Sequence, residues 1–344
     1  MKKYKLLLVF IFTTSTLMSC ETVLENIVVP YEERLVINSF ISPQDTLIEV
    51  IVSKTKPVTG VETVIYNNNP SYSYEILKGA TVEISDGVKK ANLNYQEVVN
   101  PNRFLYDPKT GKQIVASRPG YFLSTKTFPI IAGKTYTLTV SAPNLPTVTG
   151  ICTIPQQSLV NQKDLEIVYN GVDSVANGGT FINNQLVATS YALNKKYTVK
   201  IKDNPAEENF YAVAYYSEKI EQTKGNDGKL FTSKPLNLQE PFGDIMSDYK
   251  KNGDVLSFIP LRISTGSTSN NNPNQKTISH KVSCFIAITD KAYYLYNKSV
   301  SDSYGVSNNN PFAEPVLTYS NINGGLGIFA GYNMTRVDVD LLKK

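Results

Sequence analysis

Strict alternation of apolar and polar residues is the feature that most restricts the fold of this chain. Between Thr135 and Ser141, the apolar residues Tyr136, Leu138 and Val140 alternate with hydroxyl side chains. Successive side chains point to opposite faces of a β-strand, so this spacing predicts a strand with one buried face. The same pattern occurs at residues 80–85, 197–202 and 336–341.

Turn signals separate the alternating segments. They are the short sequences Asp86-Gly87, Ala132-Gly133, Asn226-Asp227-Gly228 and Asn323-Gly324. Glycine, asparagine and aspartate tolerate positive φ, which tight connections between strands require. Strands with such short connections favour a mainly β fold built as a sandwich over one built from βαβ units.

One helix is predicted near the carboxyl end. Asp290 can cap its first turn, and Ala292, Leu295, Tyr296 and Ser299 follow with the spacing of a single helix face. Gly305 is expected to end the pattern. We expect this helix to pack on a sheet.

The length of the chain and the placement of its prolines suggest two domains. We predict an immunoglobulin-like or transthyretin-like β-sandwich over residues 31–155, because a run of strands ends at Pro155. Residues 156–344 then form a second β-rich domain with the helix. Two polar stretches, at residues 66–74 and 264–276, are predicted to be exposed loops.

The amino-terminal segment is typical of a bacterial export signal. Lysines at positions 2, 3 and 5 precede an apolar run from Leu6 to Phe12, and Leu17-Met18-Ser19-Cys20 follows. The run is too short to span a bilayer, which takes about 20 residues. The tetrapeptide resembles the lipobox of bacterial lipoproteins, which implies cleavage after Ser19, a diacylglyceryl group on the Cys20 thiol and acylation of the new amino terminus.

We therefore predict a signal peptide at residues 1–19 and a lipidated tether at residues 20–30. Several acyl chains on one cysteine would hold the protein durably to a membrane, since each buried methylene contributes about 0.8 kcal/mol. An ordinary secretory signal with a coincidental cysteine is the alternative.

The charge balance gives no reason to expect a nucleic-acid partner. Removal of residues 1–19 takes away three lysines, which leaves 31 Lys and Arg against 30 Asp and Glu. Nucleic-acid binding would require a clear basic excess. No later segment reaches spanning length, so membrane attachment is expected through the lipid alone.

Cys152 and Cys284 remain once Cys20 is lipidated. Cys284 alternates with Val282, Ile286 and Ile288, which predicts a place on the buried face of a strand. Although an oxidising compartment permits a disulfide, we expect these two cysteines to stay unpaired.

Four local patterns, taken together in this order, resemble a family of Bacteroidetes outer-membrane lipoproteins catalogued as a domain of unknown function. They are Cys20-Glu21; the strand pair 79–84 and 133–140; Lys202-Asp203-Asn204-Pro205 with Asn209-Phe210-Tyr211; and Asn310 to Pro315 followed by Asn321 to Phe329. The last pattern is the most specific, and the resemblance covers nearly the whole chain after the signal.

The resemblance implies a cellular setting and no catalytic activity. Such lipoproteins look like companions of TonB-dependent outer-membrane receptors in nutrient uptake, and no catalytic residues are implied. Members that reach the outer face often carry several acids just after the cysteine. Here only Glu21 and Glu25 follow closely, which leaves open which face of the outer membrane the protein occupies.

Catalytic and metal-binding residues are not predicted. His280 is the only histidine, which excludes a site with several histidine ligands, and its place at a strand start favours a structural role. The glycines from Gly324 to Gly331 lack the spacing of a phosphate-binding loop and favour close backbone approach. The acids Glu207, Glu208, Asp338 and Asp340 are expected to be solvated, and no cofactor is predicted.

Tyrosine is the residue type that most favours binding, with 22 Tyr and no Trp. Tyrosine offers rigid contact area with a polar tip, so Tyr72 and Tyr74 in a predicted loop are candidate contacts to a ligand or partner. We expect Tyr293 to Tyr296 to pack within the fold instead. Two short sequences, Asp45-Thr46-Leu47 and Asp173-Ser174-Val175, resemble acceptors for O-glycosylation in the same bacteria, at Thr46 and Ser174.

Three functional hypotheses follow. The first is a non-enzymatic outer-membrane lipoprotein that serves a TonB-dependent uptake system. The second is a free-standing surface module that binds glycan or peptide, for which Tyr72 and Tyr74 would be the contacts. The third is a hydrolase, which would require acids that converge in a cleft.

Overall fold

The computed structural model describes residues 31–56, 63–66, 69–72, 76–97, 119–156, 165–182, 185–205, 207–224, 228–233, 236–238, 244–251, 253–258, 261–267, 275–307 and 317–340. The chain divides into two compact units. The first comprises residues 1–32 and 56–73, and the second comprises residues 33–55 and 74–344.

The described residues form strands and a single helix. In chain order, the strands are β1 (Leu35–Ile41), β2 (Leu47–Lys54), β3 (Thr63–Tyr66), β4 (Asn69–Tyr72), β5 (Thr81–Ser85), β6 (Lys90–Gln96), β7 (Gly120–Ser124), β8 (Thr135–Ala142), β9 (Leu145–Thr153), β10 (Leu165–Ile182), β11 (Gln185–Lys202), β12 (Phe210–Lys224), β13 (Leu230–Ser233), β14 (Leu236–Leu238), β15 (Asp244–Ser247), β16 (Val255–Ser257), β17 (Leu261–Ser267), β18 (Gln275–Thr289), β19 (Ile322–Asn323) and β20 (Leu326–Asp340). The helix α1 spans Lys291–Ser307. The prediction of a mainly β fold is confirmed.

The first described unit is represented by one antiparallel hairpin, β3 and β4, in which Tyr66 pairs with Asn69. The predicted exposed loop at residues 66–74 is therefore wrong where β4 lies. Pairing of Tyr66 with Asn69 leaves two asparagines in sequence between the strands, and asparagine is favoured in two-residue hairpin connections. Because residues 66–74 are mostly polar, their sequence did not indicate a hairpin.

A first sandwich is built from strands that pair in the order β20, β1, β2, β7, β6, β5, β8, β9 and β19. β19 directly precedes β20 in the chain, so the last strand of this order lies next to the first. The run of strands therefore closes around one core. The core includes the alternating residues Tyr136, Leu138 and Val140 of β8, which are buried as predicted. β5 follows the same rule, since Val82 and Ile84 are buried.

A second sandwich forms around β12, β18 and β20. One face of these strands packs against the four-stranded sheet of β10, β11, β16 and β17. Tyr197, Val199 and Ile201 of β11 enter this core, as their alternation predicts. Cys284 also lies there, with Val282, Ile286 and Ile288, which confirms its predicted place on the buried face of a strand.

The opposite face of β12, β18 and β20 packs against α1. Tyr293 of the helix is buried there, and Ala292 and Tyr296 pack beside it. The predicted helix and its packing are thus confirmed, whereas its predicted end is wrong, because Gly305 lies inside α1. Both faces of β18 are covered, so residues 282–289 are buried without alternation.

Strands from both sides of Pro155 share the large sheet. β20 pairs in parallel with β1, and β19 pairs with β9. Residues 33–55 and 74–344 accordingly form one compact unit that includes most of both predicted domains. The predicted loop at residues 264–276 is wrong at its ends, where β17 extends to Ser267 and β18 begins at Gln275. Its Asn270–Pro273 centre lies outside the described residues.

Within the described part of the chain, no helix is long and apolar enough to cross a membrane.

Candidate functional site

The glycine-rich segment before and within β20 allows its backbone to pack closely against neighbouring residues. Gly327 has φ of +106°, and a Cβ placed on it would lie 1.9 Å from the carbonyl oxygen of Ile37. A Cβ on Gly331 would lie 2.7 Å from Cδ1 of Ile154. Only glycine permits such close contact, which confirms the predicted close backbone approach. The segment is strand and turn, not a phosphate-binding loop at a helix start.

Asn321 fixes the start of β20 through its side-chain amide. Its Oδ1 accepts a hydrogen bond of 2.9 Å from the Phe329 backbone N–H, and its Nδ2 donates to the Phe329 carbonyl oxygen at 2.7 Å. Nδ2 also lies 3.3 Å from the carbonyl oxygen of Ile151. One side chain therefore ties β20 to β9 and occupies backbone groups that would otherwise be buried without partners.

Two loops of the second sandwich meet at the buried carboxylate of Asp203. Its Oδ1 accepts a hydrogen bond of 2.5 Å from the Tyr211 hydroxyl, and its Oδ2 accepts one of 2.8 Å from the Gly253 backbone N–H. The Asp203 N–H donates to the carbonyl oxygen of Asp254 at 3.0 Å. Asp203 thus joins the loop after β11 to the turn before β16.

Asn209 extends this buried cluster to a second carboxylate. The Asn209 backbone N–H donates to Oδ2 of Asp248 at 2.8 Å, and its Nδ2 donates to the carbonyl oxygens of Asn204 and Glu207 at 3.2 and 3.1 Å. Burial raises the pKa of Asp248, and the negative charge of Asp203 adds to that rise. Burial, with the hydrogen bond to Asp203, also raises the pKa of Tyr211.

The carboxylate of Asp203 is engaged by hydrogen bonds within the protein. Both Asp203 oxygens already accept hydrogen bonds from protein donors. Among the residues that the structure describes, no group of three or more His, Cys, Asp or Glu side chains is placed to hold a metal ion. The motif Asp203-Asn204-Pro205 with Asn209-Phe210-Tyr211 is therefore explained by loop anchoring.

His280 lies inside the fold. Its Nε2 is 2.9 Å from Oγ of Ser217, and both residues are buried. Burial lowers the pKa of His280, and the nearby charges of Lys219 and Lys195 lower it further. The buried contact with Ser217 places His280 in the packing of β12 and β18, whereas its predicted position at a strand start is wrong, because β18 begins at Gln275.

Asp45 is a further buried acid among the described residues. Both of its carboxylate oxygens lie within hydrogen-bond distance of the Tyr332 hydroxyl, at 3.0 and 3.1 Å. Burial raises the pKa of Asp45 from 3.8 to about 7. The burial of Asp45 could not be predicted, because nothing in Ser42-Pro43-Gln44-Asp45 indicates that this turn is buried.

Asp290 caps α1, as predicted. Its Oδ1 accepts a hydrogen bond of 2.8 Å from the Tyr293 N–H, and its Oδ2 accepts one of 2.9 Å from the Gly331 N–H. Burial raises the pKa of Asp290 from 3.8 to about 6, although these hydrogen bonds oppose the rise. The contact of Asp290 with β20 was not predicted, since it depends on the tertiary fold.

Cys152 and Cys284 are both free and buried, and they lie in different hydrophobic cores. Burial raises the pKa of the Cys284 thiol to about 12 and that of Cys152 well above its ordinary value. Neither is a reactive thiol, because reactive cysteines are exposed and have depressed pKa values.

The residues predicted to contact lipid, ligand or partner are placed only in part. Cys20 and Tyr74 lie outside the described residues. Tyr72 is the last residue of β4, where it pairs with Thr63. Tyr293 and Tyr296 pack in the core below α1, as predicted.

The two predicted glycosylation positions differ in exposure. Thr46 is half-buried, and its carbonyl oxygen accepts a hydrogen bond of 3.1 Å from the Thr125 N–H. Ser174 is exposed on β10, opposite Leu193 of β11. Exposure makes Ser174 the more accessible position, and modification of either residue stays a prediction.

The described residues define a mainly β protein whose buried polar side chains anchor turns, loops and strand ends. A family model described as "Domain of unknown function (DUF4249)" matches residues 22–337. The chain belongs to this family. No curated protein matches it.

Proposed function

We propose that this protein is a non-enzymatic outer-membrane lipoprotein that serves a TonB-dependent nutrient uptake system. It is anchored through acyl chains on Cys20 and contacts the receptor or holds its nutrient. The observation that carries the proposal is the lipobox-like Leu17-Met18-Ser19-Cys20, which follows a short apolar run and directly precedes the family domain at residues 22–337.

Three further observations support a role without catalysis. The lone histidine is buried against Ser217, and the cluster around Asp203 and Asp248 is occupied by internal hydrogen bonds. Cys152 and Cys284 are buried thiols with raised pKa values. These polar groups thus have an explanation in the stability of the fold.

Co-purification tests the proposal. The tagged chain, expressed in its native host, is crosslinked in intact cells and extracted in mild detergent, and the bound proteins are identified by mass spectrometry. We expect a TonB-dependent receptor with the wild-type chain. A Cys20→Ala chain, which lacks the lipid acceptor, should lose the receptor and the membrane fraction together. Recovery of the crosslinked wild-type chain alone would contradict the proposal.

Surface binding of glycan or peptide is the second candidate. It rests on Tyr72, which the structure places at the end of a two-stranded hairpin. Tyrosine offers rigid contact area with a polar tip, which favours it at interfaces. A glycan or peptide array probed with the purified chain should give binding that falls on Tyr72→Ala and Tyr74→Ala, whereas Tyr293, buried under α1, is not expected to contribute.

A further inference from the structure

β20 changes partners between two consecutive residues. It pairs in parallel with β1 up to Gly331, and it pairs with β18 from Tyr332 onward. Phe329, before this point, lies in the core of the first sandwich, and Val339, after it, lies in the core of the second. The Gly331–Tyr332 crossing is therefore where one strand passes from the first sandwich to the second.

Asp45, from the turn between β1 and β2, holds one side of the crossing. It is 8% exposed, and its carboxylate meets the hydroxyl of Tyr332, which is 4% exposed. The carboxylate of Glu49 on β2 carries the same charge and disfavours ionisation of Asp45. Ionised Asp45 would thus be a buried charge that the Tyr332 hydroxyl and a backbone hydrogen bond from Ser42 only partly satisfy, which is costly in a protein interior.

Asp290 holds the crossing from α1. Its carboxylate accepts a hydrogen bond from the Gly331 N–H, and its own N–H donates to the Gly331 carbonyl oxygen at 2.9 Å. Asp290 also accepts hydrogen bonds from the first turn of α1. Its negative charge contributes to the raised pKa of the buried Cys152 thiol on β9. The amino-terminal end of α1 is thereby hydrogen-bonded to Gly331, the residue after which β20 changes partners.

Uncharged side chains complete the attachment. Gln44 donates through Nε2 to Oδ1 of Asn333 at 2.9 Å and accepts from the Met334 N–H at 3.0 Å. Asn333 donates through Nδ2 to the carbonyl oxygen of Pro155 at 3.0 Å. These contacts do not titrate, so the proton dependence of the crossing comes from Asp45 and Asp290.

We propose that the Gly331–Tyr332 crossing is a proton-sensitive joint between the two sandwiches, which is tight when Asp45 is protonated and loosens when Asp45 ionises. The neutral acid keeps its contact with Tyr332 without the cost of a buried charge. The ionised acid gains by opening to water. Ionisation of Asp290 also loosens the joint, but it occurs at a lower pH than ionisation of Asp45.

The pH range of the effect follows from the two carboxyl groups. Burial raises the pKa of Asp45 from 3.8 to about 7, so opening the joint releases a proton between these values. Opening therefore becomes easier as pH rises from about 4 to 7 and levels off above 7, by up to about tenfold for each pH unit. Asp290, whose pKa is raised to about 6, contributes only below that pH. Asp45 alone acts between pH 6 and 7.

Hydrogen exchange measured on the full chain by mass spectrometry tests this proposal. Exchange rates are corrected for the intrinsic effect of pH and compared for peptides that cover residues 42–47, 329–335 and, as an internal control, the β8 core around Leu138. We expect exchange at the first two to rise about fivefold from pH 6 to 7 and to level off above pH 7. The β8 peptide should not follow it.

Three variants make the assignment specific. Asp45→Asn, which cannot ionise, should remove the rise between pH 6 and 7. Glu49→Gln, at a partly exposed position, should move the rise to lower pH and serves if Asp45→Asn fails to fold. Asp302→Asn, at an exposed acid of α1, should leave it unchanged. A flat wild-type profile, a rise retained in Asp45→Asn, or an equal rise in the β8 peptide would overturn the proposal.

Discussion

Asn321 and Phe329 are joined by two hydrogen bonds in opposite directions, from the Phe329 N–H to the Asn321 side chain and from that side chain to the Phe329 carbonyl oxygen. A single amide here takes the place of a neighbouring strand. Phe329 itself is fully buried in the first core. Asn321 therefore holds Phe329 in place near the start of β20.

Asn321→Ala is expected to lower the free energy of unfolding by about 2 kcal/mol, because it leaves buried backbone groups of Phe329 without a partner. The nearby exposed Asn323 provides the control, and Asn323→Ala should change stability by less than about 0.5 kcal/mol. Urea unfolding followed by tyrosine fluorescence measures both. Equal effects of the two substitutions would contradict this role of Asn321.

Gly327→Ala tests the close approach of β20 to β1. A Cβ at this position would meet the Ile37 carbonyl oxygen, so we expect a loss of at least about 3 kcal/mol or failure to fold. Gly87→Ala is the matched control. Gly87 also has positive φ, at +86°, but nothing lies near its Cβ position, so the cost should stay near 1 kcal/mol. Similar losses in both variants would show that backbone conformation, not crowding, sets the cost.

Asp203→Ala should lower the free energy of unfolding by about 3 kcal/mol, because the Tyr211 hydroxyl and the Gly253 N–H lose their shared acceptor. Tyr211→Phe removes one of these contacts and should cost about 1 to 2 kcal/mol. Asp254→Ala, at an exposed side chain in the same turn, should cost little. If Asp203→Ala is as stable as Asp254→Ala, the cluster does not anchor these loops.

Thiol counting tests the cysteine assignments together with the lipid anchor. Native protein purified from membranes should not react with a thiol reagent, because Cys152 and Cys284 are buried. In denaturant, two thiols should react if the Cys20 sulfur carries a lipid. Three reactive thiols would mean an unmodified Cys20, and none would mean a disulfide between Cys152 and Cys284.

Much of the fold could be predicted where a strand has one buried face. Tyr136, Leu138 and Val140 revealed β8 because burial and sequence share the same period. The cap at Asp290 and the helix after it could also be predicted, because both signals come from residues that are close together in the sequence. The predicted turn glycines at positions 87, 133, 228 and 324 all have positive φ.

The remainder depends on contacts that sequence patterns do not encode. β18 is covered on both faces, so Ser283, Phe285 and Ala287 are buried in addition to the face predicted for Cys284. The crossing of β20 depends on residues far away in sequence, such as Asp45 and Asp290. The sequence placed Asp203 and Tyr211 in a motif, yet only the structure explains why they occur together.

The proposed role of the protein depends first on the lipid at Cys20, and the intact mass of the protein extracted from membranes tests this most directly. We predict a chain that begins at Cys20 and carries the added mass of a diacylglyceryl group and an amide-linked acyl chain. Glycans at Thr46 or Ser174 would add further, separable mass. A mature chain with an unmodified Cys20, or one cleaved at another residue, would contradict the account.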